Sequence, residues 1–322
     1  MARYICQRMK VKLILTICVL VLCGTRVFAQ DVQRLLQEGD SLLKVDRPQK
    51  AIDKYTAAIA IAPSANAYSA RARAWFHMER MDHFLLDANK ALKLDSLHIE
   101  ANYQRALYAF RGEDYHTTER LTNRALNNGA KEPLKQQLTL LRGEARAELK
   151  KNVYAIQDLM DGLGGRTDDT QALKTLARLY DSVGDHAASL ETLEKLCVVD
   201  PDDIGNWTNR GYELAALGRN DEALAMYGKA LQMDKDEPTA LSDRAATLLK
   251  MGREDEALND VERSLRAYPA NAFALRTRGI IRIHKGEMEK ACADFSLAKI
   301  LGEVPDIDKL ISDNCADIKP KR

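Results

Sequence analysis

The sequence lacks the short motifs that mark common catalytic and metal centres. Among its 322 residues there is no His-Glu-x-x-His and no Cys-x-x-Cys, and the six histidines are scattered, so no metal site is predicted. The serine-hydrolase motif Gly-x-Ser-x-Gly and the Gly-Lys-Ser/Thr of phosphate-binding loops are absent as well. We therefore expect no catalytic residues and no cofactor, and we predict that the chain is not an enzyme.

The sequence also lacks an apolar run of comfortable membrane-spanning length. The run at 13–23 has 11 residues, follows a basic start and precedes a small-residue cleavage site that ends at Ala29. These features are typical of a secretory signal peptide, here residues 1–29. A lipoprotein anchored through Cys23 is one alternative, although Leu22 stands where a small residue is needed. An uncleaved anchor is the other.

A strong charge bias is missing too. Without the five basic residues of segment 1–29, 43 basic residues of the 48 remain against 47 acidic ones, a net charge of about −4. A mildly acidic chain without a basic stripe is a poor nucleic-acid binder, so no nucleic-acid partner is expected. We expect an exported protein of the periplasm or cell envelope, with outer-membrane association as one option and no membrane span after signal cleavage.

What the sequence does contain is a pattern of large and small residues that recurs every 34 positions. Its clearest copy lies at 204–237, where Gly211 follows Trp207 by four residues and Tyr227 lies in a second apolar stretch. Two helices cross closely only where a small residue on one receives a large residue of the other. Gly218 lies between the two stretches and predicts the end of the first helix. The pattern therefore predicts a packed pair of helices.

Eight copies of this pattern fill most of the chain, and one pair cannot bury both of its apolar faces alone. The predicted repeats, numbered 1 to 8, are 32–64, 65–98, 99–132, 136–169, 170–203, 204–237, 238–271 and 272–305. Residues 133–135 interrupt the register. The Gly-rich run at 162–169 has no preceding strand, so we interpret it as a flexible turn, and a candidate hinge, in which Asp168 or Asp169 caps the next helix.

The C-terminal segment 306–322 is predicted to cap the last repeat. Ile307, Leu310, Ile311 and Ile318 follow helical spacing. Cys292 lies on the second helix of repeat 8 and Cys315 on the cap, so packing of the cap brings the two together. We therefore predict a Cys292–Cys315 disulfide, which an oxidising compartment permits, and a buried Cys197.

A charge pattern recurs at fixed positions of the repeat. The seventh residue is arginine in six repeats: Arg71, Arg105, Arg142, Arg210, Arg244 and Arg278. Sixteen residues later, four of these repeats carry aspartate: Asp87, Asp158, Asp260 and Asp294. Repeat 1 has Glu38 and Lys54 at this spacing, with the signs exchanged. We predict a partly buried ion pair between the two helices of a repeat, against the alternative of two independent surface preferences.

These residues resemble those of the tetratricopeptide repeat family from 32 to 305, most closely in repeats 5 to 8. The resemblance implies an all-α fold, a right-handed α-solenoid of about eight helical hairpins with a C-terminal capping helix. It also implies a concave groove, lined by the first helix of each hairpin, that holds a protein or peptide partner. Catalysis is not expected of such repeats.

On the family geometry, positions 2, 5, 9, 12 and 13 of each repeat face the groove. Apolar and aromatic groups interleaved with arginine are what partner hot spots are made of. The candidate partner-binding residues are Ser69, Arg73, Phe76, His77, Tyr103, Leu107, Phe110, Arg111, Phe273, Arg276, Ile280 and His284. The alternative, that the aromatic residues fill gaps between hairpins, stays open.

The expected function is that of a non-enzymatic exported scaffold that binds protein or peptide partners in the groove. The alternative is a carbohydrate or small-ligand binder on the same solenoid, which an aromatic platform with few charges favours. Arginine beside Phe76 and Phe110 favours a peptide or an acidic partner instead. A self-associating envelope structural protein is a further alternative, because terminal repeats can stack end to end.

Overall fold

A computed structural model describes residues 30–302 and 304–315. The predicted signal peptide, 1–29, lies outside the described residues, as does Ile318 of the predicted cap. Within the described ranges every regular element is an α-helix. No helix there combines the length and apolar character that a bilayer crossing requires.

The chain divides into two compact bodies, of which the N-terminal body ends at Gly162. Successive helices of this body pack against each other, so repeats 1 to 4 form stacked hairpins. Its helices are α1 (30–44), α2 (Pro48–Ile61), α3 (Ala65–His77), α4 (Met81–Leu94), α5 (Ile99–Arg111), α6 (Tyr115–Asn127), α7 (Leu134–Glu148) and α8 (Asn152–Leu163). Odd-numbered helices are the first helix of a repeat and even-numbered helices the second.

The C-terminal body starts at Leu163 and stacks repeats 5 to 8 in the same way. Its helices are α9 (Thr170–Ser182), α10 (His186–Val199), α11 (Ile204–Ala216), α12 (Asn220–Met233), α13 (Pro238–Lys250), α14 (Glu254–Ala267), α15 (Ala272–His284), α16 (Met288–Leu301) and α17 (Ile307–Cys315). Asp169 caps α9, as the sequence predicts: its side chain accepts a hydrogen bond from the Ala172 backbone at 3.0 Å.

The predicted contact between a small residue and a large one holds the hairpins together. A Cβ on Gly211 would lie 2.6 Å from the Tyr227 ring, and one on Gly279 would lie 2.3 Å from the Phe295 ring. In the hairpin whose α13 carries Ala245 at the small position, Val261 lies in the same core cluster and is fully buried. Contact between a small residue and a larger one thus lets the two helices pack closely.

The turns between first and second helices need one residue in the left-handed conformation. The C-terminal body uses glycine at all four turns, Gly184, Gly218, Gly252 and Gly286, with φ between 74° and 78°. The N-terminal body uses Asp46, Glu79, Glu113 and Lys150, with φ between 54° and 58°. The C-terminal body therefore forms these turns without the Cβ clash that the N-terminal body accepts.

The predicted ion pairs between the two helices of a repeat are confirmed. The distances between arginine nitrogen and aspartate oxygen are 2.7 Å for Arg71–Asp87, Arg142–Asp158 and Arg278–Asp294, and 2.6 Å for Arg244–Asp260. The aspartate side chains are only 3–5% exposed. The reversed pair Lys54–Glu38 forms at 2.6 Å. Arg210 has no aspartate sixteen residues on and pairs with Glu194 instead.

The cap packs as predicted. Ile307 on α17 is buried against Phe295 and Leu275 of the last repeat, and Leu310 and Ile311 are partly buried there. The structure contains the predicted Cys292–Cys315 disulfide, and Cys197 is a free, buried thiol. One boundary differs from the prediction, because α7 begins at Leu134 rather than after the interruption at 133–135.

Candidate functional site

A surface depression of about 550 Å³ lies at the C-terminal ends of two first helices in the N-terminal body. Phe76 and His77 come from α3, and Arg111 comes from α5. Glu79, the left-handed turn residue, and Met81, the first residue of α4, complete the lining. The depression therefore forms where one helix ends, the next begins, and the following repeat covers both.

The Arg111 guanidinium is held in place without an acidic partner. Its central carbon lies 4.9 Å from the centroid of the Phe76 ring, and its Nη1 donates to the Met81 sulfur at 3.7 Å. It forms no ion pair with any residue in the described ranges. A guanidinium fixed over an aromatic face keeps donors free for a carboxylate. This group is thus ready to bind an acidic side chain or chain terminus.

Arg73, in contrast, is already neutralised. Its Nη2 donates to Asp40 Oδ1 at 2.7 Å, and the Tyr55 hydroxyl donates to the same oxygen at 2.7 Å. Glu100 lies 4.0 Å from Arg73, and burial raises the pKa of that carboxyl. These groups link α1, α3 and α5, so Arg73 acts between repeats rather than as a free cation for a partner.

Ser69 does not face the groove, which corrects its predicted role. Its side chain is 2% exposed because Gln104 of the next first helix covers it. The Ser69 hydroxyl lies 3.3 Å from Gln104 Oε1, and the Gln104 amide donates to the Ser69 carbonyl at 2.8 Å. A partner in the groove cannot reach this hydroxyl.

Three other predicted residues of this body are partly buried against its core. Tyr103, Leu107 and Phe110 pack against a cluster that contains Leu121 and Leu141. Burial raises the pKa of the Tyr103 hydroxyl. Part of each of these three side chains therefore fills the space between hairpins. The exposed His77 and Arg111 give the surface its polar character.

The predicted residues of repeat 8 make contacts within the C-terminal body. Arg276 Nε donates to the Pro305 carbonyl at 3.0 Å, and Ile280 packs against the last core cluster. His284 Nδ1 lies 2.6 Å from Glu254 Oε1. Phe273 remains 51% exposed. Arg276, Ile280 and His284 thus make contacts within their own body.

The C-terminal body contains a cluster that the sequence did not predict. His186 Nδ1 lies 2.8 Å from Glu213 Oε2 and 3.6 Å from Asp181 Oδ1. Burial raises the pKa of the Glu213 carboxyl. The signal in the sequence was Glu213 itself, at the tenth position of its repeat. The other repeats of this body carry buried Leu179, Thr247 and Ile281 there.

Comparisons with known families match the repeats. A family model described as a TPR repeat matches residues 211–252. A second model, described as a tetratricopeptide repeat, matches residues 36–99 and 242–305. Both bodies therefore contain at least one segment that such a model matches.

One curated relative and two solved structures illustrate the similarity. The E3 ubiquitin-protein ligase CHIP of Arabidopsis thaliana is 33% identical over 107 residues, which is 33% of this chain and 38% of the relative. A tetratricopeptide repeat protein from Parabacteroides merdae is 16% identical and covers 88% of this chain and 98% of its own, with a TM-score of 0.47. A thermophilic TPR protein from Thermus thermophilus is 18% identical, and the match covers 56% of this chain and 98% of that protein, also with a TM-score of 0.47.

Proposed function

Because the chain belongs to the tetratricopeptide repeat family, we propose that it is an exported, non-enzymatic scaffold that holds a protein or peptide partner at the Phe76–Arg111 depression. The observation that carries the proposal is the Arg111 guanidinium, which Phe76 and Met81 hold in place without a carboxylate. Arginine and aromatic side chains dominate the binding energy of protein interfaces. The partner segment is an acidic residue flanked by apolar ones.

The depression combines two kinds of contact that suit such a segment. The apolar part consists of Phe76, which packs 5.3 Å from Phe84, and Met81, whose flexible side chain adapts to different apolar groups. The polar part consists of Arg111 and the exposed His77 and Glu79. Sugars bind by stacking on an open aromatic face, whereas Arg111 covers a face of Phe76. This arrangement supports a peptide rather than a carbohydrate.

Site-specific cross-linking in intact cells tests the partner site. A photo-reactive amino acid at position 77 lines the depression, and one at Val153, which is 72% exposed on α8, is the matched control outside it. We expect one defined protein adduct from position 77 that is absent from position 153. Arg111→Glu should abolish the adduct because it places like charges together, while circular dichroism shows an unchanged helix content.

Two results would contradict the partner site: equal adducts from both positions, or an adduct that survives Arg111→Glu.

Export has its own test, because it rests on residues 1–29 alone. N-terminal sequencing of the protein from cell fractions should find the mature chain starting at Gln30 outside the cytoplasm. A chain that retains Met1 in the cytoplasmic fraction would refute export and leave the partner site untouched.

A further inference from the structure

We propose that Asp181, His186 and Glu213 form a binding site for one divalent transition-metal ion of the zinc class. Asp181 lies in the last turn of α9, His186 is the first residue of α10, and Glu213 projects from α11. Each offers one ligand atom, and the three atoms lie within 4.8 Å of one another. The site would join three consecutive helices of the C-terminal body.

The distances fit a shared ion. Zinc binds imidazole nitrogen and carboxylate oxygen at about 2.0–2.2 Å, so two of its ligand atoms are about 3.4 Å apart in tetrahedral geometry. His186 Nδ1 lies 2.8 Å from Glu213 Oε2 and 3.6 Å from Asp181 Oδ1, on either side of that value. The Asp181 side chain is 40% exposed, so it can rotate to complete the geometry.

The two carboxylates of this cluster share one histidine and have no arginine partner among the described residues. The buried aspartates Asp87, Asp158, Asp260 and Asp294 each bind an arginine fork. Glu213 is 2% exposed, yet its partners among the described residues are the Ser189 hydroxyl and His186. Asp181 also pairs with His186. One Nδ1–H donates to one carboxylate at a time, whereas a divalent ion satisfies both.

The surroundings orient the ligands. The Ser189 hydroxyl lies 2.7 Å from Glu213 Oε1 and fixes the carboxylate so that Oε2 faces His186. Metal-binding carboxylates in proteins are held by such outer hydrogen bonds. His186 is 32% exposed, so an ion can enter from solvent, and water can take a fourth position. The imidazole ligand favours zinc over calcium or magnesium, which prefer oxygen ligands.

Titration of the purified, chelator-treated full chain with Zn²⁺ tests the proposal. We expect one zinc ion per chain by calorimetry and a higher thermal midpoint with zinc than without it. Glu213→Gln keeps the side-chain size and the Ser189 contact but removes the ligand charge. It should lower zinc affinity by at least about 100-fold and abolish the thermal shift. His116→Ala is the control, because His116 is exposed on α6 and lies outside the cluster.

Asp181→Asn is the second variant, since the exposed side chain bears little packing. It should weaken zinc binding while circular dichroism and the zinc-free thermal midpoint stay those of the wild type. The proposal is overturned if zinc does not bind saturably, or if Asp181→Asn and Glu213→Gln bind it as tightly as the wild type. Preference for Ca²⁺ over Zn²⁺ would equally overturn the assignment to the zinc class.

Discussion

The two bodies use the same hairpin but form its inner turn differently. All four turns of the C-terminal body place glycine in the left-handed conformation, whereas the N-terminal body uses Asp46, Glu79, Glu113 and Lys150. A residue with a Cβ loses about 1–2 kcal/mol in that conformation. Glu79, however, lines the depression beside Arg111. Of the four turn residues, Glu79 is therefore the one at which a loss of local stability coincides with the candidate partner surface.

A second difference appears at matching positions of the repeats. The twelfth and seventeenth residues of a repeat flank the inner turn. They are Phe76 and Met81 in repeat 2, and Asp181 and His186 in repeat 5. The following first helix adds Arg111 in one body and Glu213 in the other. The same corner of the scaffold therefore supports an aromatic and cationic surface in the N-terminal body and an anionic cluster in the C-terminal one.

The largest effect is expected for the buried ion pair between the two helices of a repeat, which both bodies contain. Arg244→Ala should lower the free energy of unfolding of the C-terminal body by about 3 kcal/mol, because it leaves Asp260, 3% exposed, with only Arg263 at 3.9 Å. Arg278→Ala is the matched control, with a loss of about 1–2 kcal/mol, since Arg282 still binds Asp294 at 2.6 Å. Native-state hydrogen exchange of α13 to α16 measures both.

Exchanging the charges sharpens this test. The double variant Arg244→Asp with Asp260→Arg should recover much of what either single alanine change loses, because the pair re-forms with its signs reversed, as Glu38 and Lys54 do in repeat 1. A loss under about 1 kcal/mol for Arg244→Ala would show that the pair contributes only as an exposed pair does. No recovery in the exchange would show that the two side chains do not interact.

The C-terminal body ends in a cap that a disulfide joins to the last repeat. Cys315→Ser should destabilise the cap by about 3 kcal/mol on the chain-entropy estimate for a loop of 23 residues. Hydrogen exchange should quicken in α17 and the C-terminal half of α16. Helices α9 to α12 of the same protein serve as the internal control. An unchanged α17 would mean that packing of Ile307 alone retains the cap.

The close contact between helices gives the next effect. Gly279→Ala should cost about 1–3 kcal/mol, because the new methyl group would lie 2.3 Å from the Phe295 ring. Gly228→Ala on α12 is the control: nothing lies within 4 Å of its Cβ position, so it should stabilise by about 0.5–1 kcal/mol. If Gly279→Ala stabilises the protein as Gly228→Ala is expected to do, the contact at Gly279 relaxes too easily to define the crossing of the two helices.

Most of the fold could be predicted from the sequence because each position of the repeat occurs several times in the chain. Arg244 and Asp260 were paired through their recurrence in other repeats, and Gly211 with Tyr227 through the order of large and small residues. The burial of Ser69 was missed because it depends on Gln104, a side chain of the next repeat. Contacts between side chains of neighbouring repeats differ from one pair of repeats to the next. A pattern common to all repeats therefore does not predict them.

The same limit applies to the metal cluster. Asp181, His186 and Glu213 come from three helices, and their spacing matches no short motif. Only Glu213, a charged residue in a position that is otherwise uncharged in its body, departs from the pattern within a single repeat. A residue that differs in chemical type from those at the same position of the other repeats is thus the most informative sequence signal for a functional site.

The smallest expected effect tests the turns themselves. Glu79→Gly should raise the stability of α3 and α4 by about 0.5–1 kcal/mol, because relief of the left-handed strain exceeds the added flexibility of the unfolded chain. Gly218→Ala in the other body should lower the stability of α11 and α12 by about 1 kcal/mol. The same Glu79→Gly protein should give a stronger cross-link from position 77, because removal of an acidic lining side chain reduces the repulsion of an acidic partner. A stabilised variant with unchanged cross-linking would separate the strained turn from partner binding, whereas a destabilised one would show that the Glu79 side chain serves the fold.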